Sequence, residues 1–223
     1  MARNALIIGA SSGIGESLAG RMRDAGWNVQ TASRQDGDLD ITQESPAFPE
    51  IDGPLHALAY CPGSINLRPF GNLKENDFRS DFEINLMGAV KTLKHYGPAL
   101  KSSGEGSVVL FSTVAVQTGM GFHTSVAAAK GAVEGFARAL AAEWAPSIRV
   151  NVVAPSLTET PMASRLLRND AQREASAKRH PMGRIGAPDD PAAAAAFLLD
   201  PSASWITGQV IGVDGGMSAI RGL

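Results

Sequence analysis

The chain has 223 residues, a length that suits one domain around one sizeable core. Its 44% apolar and 19% charged residues are globular values that exclude a disordered chain. A formal charge of −2 leaves no footprint for nucleic acid or an anionic membrane. A single cysteine, Cys61, excludes an internal disulfide and fits a reducing compartment.

In chain order, residues 5–9 read as a short apolar strand, reached without the long apolar stretch of a signal peptide. A helix follows over 13–25, ended by Gly26, and a second strand over 28–32. Between that strand and Leu39-Asp40-Ile41 lie only residues 33–38, whereas a parallel crossover needs about a dozen residues or more. The helix expected there is therefore missing, and the third strand is expected to be a stub. Residues 43–53, carrying Pro46 and Pro49, are poor helix material. Further strands are read at 55–60, 107–112, 149–154 and 209–213, with helices over 81–101, 124–145 and 189–199. The alanine-rich 192–199 falls far short of the ~20 apolar residues that cross a bilayer. This alternation predicts an α/β fold, a doubly wound parallel sheet flanked by helices, with a shortened β2–β3 connection and a single domain over 1–223. A cytoplasmic protein without membrane or nucleic-acid partners is the expectation.

The first strand runs into Gly9-Ala-Ser11-Ser12-Gly13-Ile14-Gly15 and then a helix. Glycines let backbone approach a pyrophosphate, and the helix N-terminus offers free N–H groups, so this turn predicts a dinucleotide site. At the end of the second strand, NAD binders place a carboxylate on the ribose 2′-OH. Here Ser33 takes that place and Arg34 follows it. A hydroxyl with a guanidinium suits a 2′-phosphate, which points to NADP(H), with NAD(H) the alternative because Asp36 and Asp38 oppose a phosphate. No His/Cys/Asp cluster has metal-ligand spacing.

Across almost its whole length the sequence resembles the short-chain dehydrogenase/reductases, a family with a Rossmann-like fold. The resemblance is carried by the glycine turn and by Leu39-Asp40-Ile41-Thr42, similar to the family's adenine-contacting segment. It extends to Tyr60-Cys61-Pro62-Gly63, where only Gly63 survives of Asn-Asn-Ala-Gly, and to Glu83-Ile-Asn85-Leu-Met-Gly88, whose Asn85 matches a catalytic asparagine. Leu110-Phe-Ser112-Thr resembles the strand end that supplies the catalytic serine, here Ser112. Residues 151–162, with Pro155, Thr158 and Thr160, resemble the segment that covers the nicotinamide; Ser156 stands where the family has glycine. The tail from Arg184 to Gly216 resembles the C-terminal signature, which implies a homotetramer or a dimer. By this resemblance the protein is an oxidoreductase acting on a small-molecule carbonyl or activated C=C, and its alternative is a silent nucleotide-binding homologue.

The departure lies around Lys130. The family's tyrosine, four residues earlier, is Val126, which carries no proton. The lysine is implied to contact the nicotinamide ribose. Proton delivery is left to one of three sources: His123, seven residues before Lys130 and at the spacing of the enoyl-thioester reductases' tyrosine; the hydroxyls of Thr124 or Ser125; or water through Asn85 and Lys130. Tyr60 and Tyr96 are expected away from the chemistry. His56, His95 and His180 read as surface or loop residues, and residues 161–181 as a helical lid.

Overall fold

The computed structural model describes residues 2–37 and 39–220; Asp38, one of the two acids read beside Arg34, lies outside them. Six strands form one parallel sheet in the order β2-β1-β3-β4-β5-β6. They are β1 Asn4–Ile8, β2 Asn28–Ala32, β3 Ala57–Tyr60, β4 Gly106–Phe111, β5 Ile148–Pro155 and β6 Val210–Val213. β3 and β4 are buried along their entire length, as continuous apolar runs covered on both faces must be, whereas β2 alternates at the sheet's edge. Alternation along β1 sends Leu6 and Ile8 into one core with helix α3 (Gly88–Ser102) and α5 (Thr124–Trp144). Ala5 and Ile7 enter the other core with α1 (Gly13–Asp24) and α7 (Asp189–Leu199). The remaining helices are α2 (Glu75–Phe82), α4 (Ala115–Thr118) and α6 (Asp170–Ala177).

The predicted helices and strands keep their places to within two residues, with two exceptions. Among the described residues no helix lies between β2 and β3, but the connection is not short: Leu39-Asp40-Ile41 is not a strand, so it runs over residues 33–56. Leu39 and Ile41 are buried in the α3 core. Asp40 curls the chain by accepting from Thr42 N at 3.0 Å and Thr42 Oγ1 at 2.7 Å, so no ladder extends beyond β2. The helix predicted over 81–101 begins earlier, at α2, where Asp77 Oδ2 accepts from Lys74 N at 2.8 Å. It then passes through a π-helical turn, Glu83–Met87, before α3. The lid region holds a 3-10 turn, Pro161–Leu166, and α6, whose Asn169 cap accepts from Gln172 N at 2.9 Å.

Candidate active site

A cleft of about 1450 Å³ opens along the C-terminal edge of the sheet. Its lining takes residues from beyond five strand ends: Gly9 after β1, Ser33 after β2, Cys61 after β3, Thr113 after β4 and Ser156 after β5. In open parallel sheets this is the edge where ligands bind.

At one end lies the glycine turn. Gly9 and Gly13 adopt φ of 81° and 61°, conformations that favour glycine. A Cβ at Gly15 would stand 2.3 Å from the Gly9 carbonyl oxygen, so only glycine lets α1 start this close to β1. Ser11, Ser12 and Ile14 line the cleft beside them, and Ser12 leaves the first turn of α1 without a side-chain cap. Pro155, Thr158 and Thr160 line the facing wall; a Cβ at Gly13 would meet the Thr160 methyl at 3.1 Å. Ser33 and Arg34 both line the cleft, but the Ser33 hydroxyl is engaged, donating to Asp36 Oδ2 at 2.6 Å and accepting from Asp36 N at 3.1 Å. Asp40 and Ile41 close this end. Hydrogen bonds from Thr42, helped by the charges of Arg34 and Lys91, hold the Asp40 carboxyl below the usual carboxylate range.

At the other end Lys130 enters from α5, only 8% exposed, and donates to the Phe111 carbonyl at 2.8 Å. Burial lowers its pKa to about 8, opposed by the Cys61 and Asp81 charges. Gly63 joins Lys130 to Asn85: a Cβ there would stand 3.4 Å from Asn85 Oδ1 and 3.6 Å from Lys130 Nζ. Asn85, in the π-helical turn, donates to the Asp81 carbonyl at 2.7 Å and to Ser64 Oγ at 2.9 Å. Ser64 lines the cleft and donates to Asp81 Oδ1 at 2.6 Å, which also accepts from Asn66 Nδ2 at 3.0 Å. Asp81 is fully buried, and among the described residues its Oδ2 has no hydrogen-bond partner. Sequence reading missed this polar cluster because its members come from separate segments.

Val126 is buried and lines the cleft where the family has its phenol. Neither tyrosine reaches the cleft. Tyr60 donates to the Ile84 carbonyl at 2.6 Å, in space that any Cβ on Gly88 would fill, and Tyr96 donates to the Pro49 carbonyl at 2.7 Å. Burial raises the pKa of both. Ser112 lines the cleft as well, and its hydroxyl donates at 2.7 Å to Glu134 Oε1, a buried carboxylate on α5. The next residue, Thr113, lines the cleft. His123 caps the start of α5 and lines the cleft, with Nδ1 bound to the Gly121 carbonyl at 2.7 Å, which leaves Nε2 open. Neither Thr124 nor Ser125 lines it, and Ser125 is fully buried. His180 is not a loop-surface residue: it is 2% exposed beneath Ser156, because α6 and the turn after it fold over the end of β5.

The family model described as "Enoyl-(Acyl carrier protein) reductase" matches residues 41–218. A tropinone reductase homologue of Arabidopsis thaliana is 33% identical over 242 residues, covering 96% of this chain and 92% of that protein. Among solved structures, the chain is similar to a 3-ketoacyl-(acyl-carrier-protein) reductase from Brucella melitensis complexed with NADH. That match has a TM-score of 0.85 and 28% identity and covers 97% of this chain and 98% of that one. It is also similar to a gluconate 5-dehydrogenase from Burkholderia cenocepacia J2315 in complex with NADP and tartrate. There the TM-score is 0.85 and the identity 25%, over 98% and 96% of the two chains. With its parallel sheet, glycine turn and buried lysine at the sheet's C-terminal edge, the chain belongs to the short-chain dehydrogenase/reductase family.

Proposed function

We propose that the protein is an NADP(H)-dependent oxidoreductase that reduces a carbonyl or an activated C=C of a small molecule, with a proton donor other than the family's tyrosine. The observation that carries this reading is Lys130, a buried cation beside Gly63 and Asn85 at the inner end of a cleft whose outer end is a glycine cradle. When bound, the nicotinamide supplies the hydride. The N–H groups at Gly13 and Gly15 would receive the pyrophosphate, Arg34 would pair with a 2′-phosphate, Lys130 would hold the nicotinamide ribose and Thr160 the carboxamide. Thr113 replaces Ser112 as the hydroxyl that steadies the substrate oxygen, since Ser112 is committed to Glu134. The 3-10 turn and α6 cover this end and limit its contact with water.

A second reading, a nucleotide binder without turnover, is favoured by one observation: a buried valine fills the phenol's position. NADPH binding and consumption measured with diacetyl, phenanthrenequinone and crotonyl-CoA separate the two readings. Turnover of any probe supports the reductase. Tight binding without turnover, with activity appearing in Val126→Tyr, establishes the silent binder.

The same reading extends to assembly. Trp205 is 98% exposed and Phe197 49% exposed, near edge strand β6 and on α7 respectively, which suits a homo-oligomer, tetramer or dimer; light scattering after gel filtration reads its mass. Among the described residues no helix is long and apolar enough to cross a membrane. The lone cysteine suits a cytoplasmic setting.

A further inference from the structure

Ser156 lines the cleft at the end of β5. Its hydroxyl lies 2.9 Å from Nε2 of His180, and no other side chain or carbonyl among the described residues bonds it. The imidazole's other nitrogen, Nδ1, lies 2.8 Å from the Ser176 carbonyl oxygen. A carbonyl only accepts, so Nδ1 carries a proton in either charge state. Neutral His180 therefore accepts a hydrogen bond from the Ser156 hydroxyl at Nε2. As an imidazolium it instead donates from Nε2 to Ser156, and the serine hydroxyl is then free to donate into the cleft. A side chain, a base and a third group that fixes the base's tautomer are the parts of a proton-transfer pair.

The pair also sits beside the other hydroxyl of the site. Ser112 N donates to the Val153 carbonyl at 2.8 Å and Val114 N to the Pro155 carbonyl at 3.1 Å, so the ends of β4 and β5 run side by side. Ser156 thus follows the residue opposite Thr113. Its backbone N–H reaches the Val213 carbonyl at 3.4 Å, which places it next to Asp214. Burial would raise the Asp214 carboxyl, but hydrogen bonds from Ser218 and Gly216, with the charge His180 can carry, hold it below the usual range. That carboxylate is an anion within reach of the His180 ring. Arg179, which donates to Ser176 Oγ at 3.1 Å, is the nearest opposing charge along the chain.

We propose that Ser156 and His180 form the proton relay that replaces the missing phenol. The proposal rests on the reductase reading above. As the carbonyl carbon accepts a hydride from the reduced nicotinamide, the C=O π pair moves to oxygen. That oxygen takes the proton of the Ser156 hydroxyl, Ser156 takes the proton on His180 Nε2, and the imidazolium becomes neutral. Ser156 is the catalytic residue of the pair and His180 its proton source.

Two measurements test the relay. In the cofactor-free protein, histidine ¹⁵N spectra are expected to show His180 protonated at Nδ1, with an Nε2 signal that moves in Ser156→Ala. An unmoved signal overturns the pair itself. With NADPH and diacetyl, phenanthrenequinone or crotonyl-CoA, Ser156→Ala and His180→Gln are expected to lose kcat by about 10²- to 10⁴-fold. KM and NADPH affinity should hold, the double variant should fall no further than either single one, and Ser156→Thr should retain most of the rate. Single variants within about threefold of wild-type kcat overturn the relay while leaving the reductase intact, as does a loss confined to His123→Ala. A wild type that binds NADPH and consumes none with any probe overturns the reductase reading and the relay together.

Discussion

Replacing Lys130 by methionine is expected to make the cofactor-free protein more stable and the cofactor useless to it. In an ordinary environment a lysine titrates at 10.5; here burial brings it to about 8, which corresponds to roughly 3 kcal/mol of lost stability at neutral pH. Methionine has nearly the same length and carries no charge to desolvate. It does leave the Phe111 carbonyl without the donor now 2.8 Å away, at a cost of about 1–3 kcal/mol. The net expectation is a gain of about 1 kcal/mol, or about 2–4 °C in Tm for a chain of this size. Above pH 8 native Lys130 sheds its proton, while the unfolded chain keeps it until 10.5. Wild-type stability contributed by this group therefore rises between those values, and the variant's advantage disappears over the same window. Thermal unfolding of the two proteins at pH 7 and pH 10, with and without NADPH, reads all of this. NADPH should raise Tm in the wild type and much less in the variant. A variant less stable than wild type by more than about 1 kcal/mol at pH 7 would refute the view that Lys130 is kept for the cofactor against the interest of the fold.

Four further expectations follow from single residues. Ser112→Ala removes the donor from the buried Glu134 carboxylate and should cost about 1–3 kcal/mol in denaturant unfolding, whereas Thr113→Ala should leave stability nearly unchanged and lower kcat. Gly15→Ala pushes a Cβ to 2.3 Å from the Gly9 carbonyl oxygen, so α1 must move; a stability loss of about 1–3 kcal/mol and loss of NADPH binding by fluorescence titration are expected. Asp81→Asn keeps an acceptor for Ser64 and Asn66 but removes a charge that supports the Lys130 cation, so ¹³C-labelled lysine spectra should show Lys130 titrating further below its present value of about 8. Desolvation pushes the Cys61 thiol up to about 12, and its alkylation by iodoacetamide at pH 8 should be far slower than that of a free thiol.

The fold was legible where burial writes a continuous pattern, and the site was legible only where one segment carries it. The strands at the centre of the sheet are unbroken apolar runs because helices cover both faces, and the glycine turn is a local motif with a local cause. Leu39-Asp40-Ile41 has a strand's alternation, yet both apolar residues are buried under α3 and Asp40 is spent on a turn with Thr42; periodicity cannot distinguish the two uses. The same limit applies at the end of β4. Ser112 and Thr113 are adjacent hydroxyls that both line the cleft, one donating to Glu134 and one accepting from Ala115 N, and the sequence offers no means of telling their roles apart without the position of α5.

Partners brought together by packing are the least visible of all. Ser64 and Asp81 are 17 residues apart, and Ser156 and His180 are 24. Each pair combines a hydroxyl on the cleft wall with a titratable group behind it. On the sequence these residues stand as isolated serines, an acid and a histidine. In the fold they form two polar supports on the wall of the cleft that Val126 also lines. A buried acid and a buried histidine each cost stability unless partnered, and here a cleft hydroxyl partners each of them. On the relay proposed above, that makes Ser156, rather than position 126, the residue on which proton delivery is best tested.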